Sequence, residues 1–243
     1  MSSFDRLLAW VEDEPGVVGV VLSGSRGRGL GVAESDWDSY LIVEGTDDGI
    51  EDSAREVAGD DVDLSVIASD EFRSFAAPGT DREWDAYALV HATVVVDRLD
   101  GQIKALADAK ETLPAGAAVA ATRRALDACI NALVRSAKGR RDERRDEATL
   151  DAAEGVAPFL EVMFASQGRI RPYNRYLCWE LERHPLSESG VIGDEILRLV
   201  AGVLQDTDGA TREMFRLMER RARDVGIHDI VTAWDEGSLS LIR

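Results

Sequence analysis

The chain has 243 residues, 45% of them hydrophobic, and a formal net charge of −18 at pH 7. That length holds one large domain or two modest ones, each with a core of its own. The acidic balance argues against a broad nucleic-acid surface and against anionic membranes, and no apolar run approaches the roughly 20 residues that span a bilayer.

The N-terminus, MSSFDRLLAWVEDE, carries acids and no basic region, unlike a secretory signal. Cys129 and Cys178 are isolated and lack metal spacing, so both read as buried thiols of a cytoplasmic protein. Lysine occurs only at Lys104, Lys110 and Lys138. An acidic, lysine-poor composition is what a salt-adapted, halophilic cytoplasm selects. A GC-rich genome gives the same arginine bias.

In chain order, Phe4, Leu7, Leu8 and Val11 recur at helical spacing behind Ser2-Ser3, and Pro15-Gly16 ends that helix. Residues 17–22 form a β-branched apolar run, a strand buried on both faces. The glycine-rich stretch Gly24-Ser25-Arg26-Gly27-Arg28-Gly29 follows as a loop. Residues 35–43 predict a second strand, 47–58 a short acidic helix and 61–67 an alternating third strand. A helix start at 69–72, a loop at Pro78-Gly79, a fourth strand at 92–96 and a helix at 102–110 complete an α+β half, 1–113. Pro114-Ala115-Gly116 marks the boundary. Beyond it the pattern is helical throughout: 117–138, 149–165 with a bend at Pro158, 172–184, 187–205, 211–225 and a short piece at 228–235. Residues 114–243 thus form an all-helical half.

Chemistry concentrates where the glycine turn meets Ser35-Asp36-Trp37-Asp38. Side chains alternate along a strand, so Asp36 and Asp38 point one way and Trp37 packs the other. Paired carboxylates repel unless a cation lies between them, and Mg²⁺ suits such ligands while leaving positions for substrate phosphates. Gly24 and Ser25 offer backbone N–H groups to the same phosphates. A dinucleotide fold would follow its glycines with a long helix, and a P-loop would carry Gly-Lys-Ser/Thr; neither is present.

Leu22-Ser23-Gly24-Ser25-Arg26-Gly27 followed by Ser35-Asp36-Trp37-Asp38 resembles the signature of the nucleotidyltransferase superfamily related to DNA polymerase β, across about residues 17–67. The resemblance implies a nucleotidyltransferase-like mixed sheet with flanking helices, followed by an all-α helical bundle domain. It implies that the Gly-Ser turn holds a triphosphate and that Asp36 and Asp38 bind catalytic metal, two Mg²⁺ ions in all. By position Asp63 is the third carboxylate, metal ligand or base. Asp61 shares its face and Asp60 stands close by. Arg26 or Arg28 would neutralise the leaving pyrophosphate, or else be solvated loop arginines. The implied reaction carries a nucleoside monophosphate, AMP from ATP or another NTP, to a hydroxyl of a small molecule such as an aminoglycoside. A protein, an RNA 3′ end, or catalytically silent nucleotide binding are the alternatives. A homodimer is compatible with this reading.

The helical half is expected to bind the acceptor. Glu154 and Glu161 lie two turns apart on one helix face, either as a base toward the acceptor or as an exposed acidic face. Arg171 and Tyr173 belong to an arginine- and tyrosine-rich helix start, 169–176, that suits either ligand contact or packing. His91, His184 and His228 show no metal spacing and read as structural.

Overall fold

The computed structural model describes residues 1–45, 49–78, 80, 82–186, 193–205 and 209–243. They form two compact units, Met1–Thr112 and Leu113–Arg243.

In the first unit, α1 (Ser3–Asp13) starts at a capping box. The Ser2 hydroxyl accepts the Asp5 N–H at 3.1 Å, and the Asp5 carboxylate accepts the Ser2 N–H at 2.8 Å. Two donors that helix geometry leaves without partners are thereby satisfied. There follow β1 (Val17–Leu22), α2 (Gly24–Gly27), β2 (Ser39–Val43), α3 (Ile50–Ala58), β3 (Leu64–Ala68) and α4 (Ser69–Phe72). A 3₁₀ turn (Glu83–Asp85), α5 (Ala86–Leu89), β4 (Thr93–Asp97) and α6 (Gln102–Ala109) end the unit.

The strands make one mixed sheet in the order β3-β2-β1-β4. β1 runs antiparallel to β2 and β4, while β2 and β3 are parallel. Every residue of β1 is buried, as its uninterrupted apolar run requires. One face carries Val20, Leu22, Leu41, Val43 and Leu64 against Phe4, Leu7 and Val11 of α1 and Ala54 and Ala58 of α3. On the opposite face α6 approaches β1 so closely that a Cβ on Gly19 would lie 2.9 Å from Ile103. Arg98, just beyond β4, fastens the far end of the sheet to α1. Its guanidinium donates to the carbonyls of Val11 (2.6 Å), Glu14 (2.7 Å) and Val17 (2.9 Å).

Several boundaries differ from expectation. The second strand becomes a regular ladder only at Ser39; residues 35–38 run extended toward it, attached to the third strand by Trp37 N–H to Asp61 O (3.0 Å). The third strand is Leu64–Ala68 rather than 61–67, and the acidic helix begins at Ile50. Positions 47 and 48 lie outside the described residues. The glycine stretch is not only a loop, because Gly24–Gly27 close one helical turn.

In the second unit α7 (Ala115–Arg141) and α8 (Arg145–Ala165) are joined by a tight turn at 142–144. Glycines bring the two helices together: a Cβ on Gly139 would lie 3.0 Å from that of Ala148, and one on Gly155 would touch Ala132. The Ser136 hydroxyl donates to Ala148 O and the Cys129 thiol to Gly155 O. α8 continues through Pro158. A 3₁₀ turn (Asn174–Tyr176) precedes α9 (Leu177–Arg183), so the helix expected over 172–184 is two shorter pieces. α10 (Gly193–Leu204), α11 (Ala210–Asp224), α12 (Asp229–Thr232) and α13 (Glu236–Leu239) complete the unit; the first six residues predicted for the 187–205 helix lie outside the described residues. Leu126, Ile130, Phe159, Met163, Leu199, Met214 and Phe215 are part of its core. The whole is an α+β unit with a mixed sheet and flanking helices, followed by a helical region. Among the described residues no helix is long and apolar enough to cross a membrane.

Candidate functional site

The candidate site lies where β1 ends and β2 and β3 begin. Ser23, at the exit of β1, donates its N–H to Asp38 O at 2.8 Å, and its hydroxyl donates to the same oxygen at 3.3 Å. Gly24 then turns with φ +59°, a left-handed conformation that favours glycine. A Cβ on Gly24 would lie 1.8 Å from Asp38 Oδ2. The turn and the second aspartate of Asp-x-Asp are therefore in direct contact.

Asp63 enters through the parallel ladder. Ser39 pairs with Leu64, and Ser39 N–H donates to Asp63 O at 2.8 Å. One step back, the register sets Asp38 beside Asp63 on strands about 4.8 Å apart; two further steps set Asp36 beside Asp61. Neighbours in register share a sheet face, so these four acids share one. Trp37 is on the other, stacked on Phe4 with ring centroids 4.5 Å apart. Asp36, Asp61 and Asp63 are exposed and Asp38 is partly buried.

Among the described residues no three acid, histidine or cysteine side chains stand close enough to hold a metal ion by themselves. Asp36, Asp38 and Asp63 share a sheet face without forming a closed three-acid cluster. A neighbouring pair such as Asp38 and Asp63 still fits Mg²⁺, which commonly takes one or two carboxylates and completes its shell with water and substrate phosphate.

Both arginines of the glycine stretch are engaged with backbone. Arg26 donates Nε to Ser35 O at 2.8 Å and Nη2 to Val32 O at 3.1 Å. Its guanidinium lies 4.1 Å from the centroid of Trp37, on the Trp37 side of the strand end. Arg28 is only 9% exposed. It donates to Gly24 O at 2.7 Å, to Val90 O at 2.7 Å and to Tyr87 O, and packs over the Tyr87 ring. The structure gives both a scaffolding task, and Arg28 bolts the segment around α5 to the Gly24 turn. No sequence signal marked that segment.

In the second unit, Glu154 forms a surface ion pair with Arg135, and Asp151 lies 3.3 Å from the same arginine. Glu161 and Arg171 are near enough for the carboxylate to act on the guanidinium's ionisation. Burial lowers the Arg171 pKa and Glu161 opposes that shift. Arg171 Nη2 donates to Asn174 Oδ1 at 2.7 Å, and Tyr173 is exposed. Arg169 pairs with the buried carboxylate of Glu180 at 2.5 Å and donates to His184 O at 2.7 Å. That half of the arginine-rich cluster serves packing. His228 Nε2 lies 3.5 Å from Glu219, a structural setting. Cys129 is buried as expected, but Cys178 is exposed.

No protein-family model matches the chain, and no curated protein does. A crystal structure of a nucleotidyltransferase-like protein from Exiguobacterium sibiricum is similar over 96% of this chain and 80% of that one, with 10% identity and a TM-score of 0.48. So remote a likeness decides neither family nor activity.

Proposed function

We propose that the first unit transfers a nucleoside monophosphate, AMP from ATP, to an acceptor hydroxyl. The observation that carries this reading is the contact between Gly24 and the Asp38 carboxylate, with Asp63 next to Asp38 in register. It brings a side-chain-free turn and two acids from adjacent strands into one small volume.

In this reading the backbone N–H groups of Gly24 and Ser25, which begin a helical turn and so have no partner inside it, hold the triphosphate. Asp38 and Asp63 hold Mg²⁺ delivered with the nucleotide, and Asp36, farther out, takes a second ion. Bound Mg²⁺ supplies charge stabilisation to the attacking and leaving oxygens of an in-line displacement at the α-phosphorus. The acceptor oxygen bonds the α-phosphorus as the bond from that phosphorus to the pyrophosphate leaving group breaks, and Asp63, the more exposed of the pair, accepts the hydroxyl proton. Arg26 and Arg28 are left out of the phosphate grip because their donors face carbonyls. The acceptor in this reading is a small molecule such as an aminoglycoside. The reaction suits a cytoplasmic protein, where ATP and Mg²⁺ are supplied.

The test is transfer from α-labelled ATP in Mg²⁺ to a panel of hydroxylated small molecules, RNA and lysate proteins. Label on a small molecule, lost in Asp38→Asn and Asp63→Asn, is the expected result. Label on RNA or protein alone would reject the acceptor class. Absence of transfer to every acceptor, with no ATP uptake, would reject the activity.

A further inference from the structure

Trp84, in the 3₁₀ turn, is a large aromatic side chain with 68% of its surface exposed. Two separate paths tie it to the candidate site. The first runs through Arg28, which donates at once to Gly24 O and Tyr87 O; Trp84 precedes Tyr87 by three residues, about one helical turn. The second runs along the acid-bearing face of β2. Tyr40, two residues after Asp38 and on its face, meets Phe75 edge-on with ring centroids 5.5 Å apart. The Arg82 guanidinium lies 5.1 Å from the Phe75 centroid and 5.4 Å from that of Trp84. Arg82 is itself held by the buried Asp85 at 2.5 Å, so the cation beneath the indole is fixed in place.

An exposed indole backed by an anchored guanidinium presents a flat, polarised surface for another flat ring. We infer that Trp84 is the platform on which the nucleobase of the bound nucleotide stacks. This rests on the nucleotidyl-transfer reading above and adds to it the group that holds the base. Stacking of this kind tolerates any base and favours the larger purines, so it selects for a planar ring rather than for a hydrogen-bond pattern.

The test compares wild type, Trp84→Ala, Trp84→Phe and Asp38→Asn by calorimetry, each with Mg²⁺ and either ATP or inorganic tripolyphosphate. Trp84→Ala is expected to weaken ATP about tenfold and to leave tripolyphosphate unchanged, while Trp84→Phe keeps most of the ATP affinity. If Trp84→Ala binds ATP as wild type does while Asp38→Asn does not, the platform is refuted and the nucleotide site stands. Equal losses of ATP and tripolyphosphate in Trp84→Ala would also refute it, since the effect would not act through the base. Wild-type protein that takes up neither ligand would overturn the nucleotidyl reading and the platform together.

Discussion

The Asp38 carboxylate occupies the space in which a side chain on residue 24 would begin. With φ at +59° and Oδ2 1.8 Å from the position of a Cβ, residue 24 is bound to be glycine for two independent reasons. Only one of these, the collision, involves Asp38, and this allows them to be separated.

Gly24→Ala should therefore destabilise the protein more in the wild-type background than in an Asp38→Ala background. The conformational part, about 1–2 kcal/mol, remains in both, whereas the steric part disappears with the carboxylate. A double-mutant cycle by urea unfolding measures the difference as a coupling energy of about 1 kcal/mol or more. Strict additivity would mean that the two residues do not touch.

Arg28 offers a second prediction. Arg28→Met removes the shared donor of Gly24 O, Tyr87 O and Val90 O and leaves buried carbonyls without it. We expect a loss of about 2–4 kcal/mol in unfolding free energy, since hydrogen bonds from charged groups contribute about 1.5–3 kcal/mol each and are not additive. Lysine cannot reproduce the planar fork, so Arg28→Lys should recover little. Full recovery by lysine would show that charge, not geometry, matters there.

The two thiols should behave differently. Burial pushes the Cys129 thiol well above the ordinary range, while Cys178 is exposed. Titration with a disulfide reagent should find one reactive thiol in the folded protein and a second only after unfolding. The sign of the pH effect follows from the raised value. Stability from the neutral buried thiol is complete below the free-thiol pKa, and drains away as the pH climbs beyond it, because only the unfolded chain then loses the proton. Cys129→Ala should flatten that alkaline decline, read as melting temperature against pH; an unchanged slope would assign it to other groups.

A net charge of −18 on 243 residues predicts strong salt dependence. Melting temperature should rise from low to molar KCl as self-repulsion is screened. Equal melting in both would favour genomic base composition as the source of the arginine-for-lysine bias.

The reach of the sequence can be traced residue by residue. The first strand was legible because a β-branched run between a Pro-Gly stop and a glycine turn has few other solutions. Trp37 was placed opposite its flanking acids by strand alternation alone, and its stack on Phe4 agrees. Arg28 was not legible: its partners Tyr87 and Val90 lie far along the chain, and an arginine among glycines looks like a surface or phosphate-binding residue until tertiary contacts are known. Helix α5 and the 3₁₀ turn that carries Trp84 leave no sequence signal for a related reason, since elements of three or four residues have too little periodicity to register. Cys178 sits in a helical pattern, but periodicity does not say which face the fold covers.

The position of β1 between β2 and β4 bears on how the chain is made. One neighbour of the central strand leaves the ribosome soon after it, but the other follows only when almost the whole unit has been translated, and Arg98 arrives later still. Until then β1 has a bare edge and α1 lacks its clasp, so a nascent chain stalled short of this point would be a target for chaperones and for pairing with other bare strands.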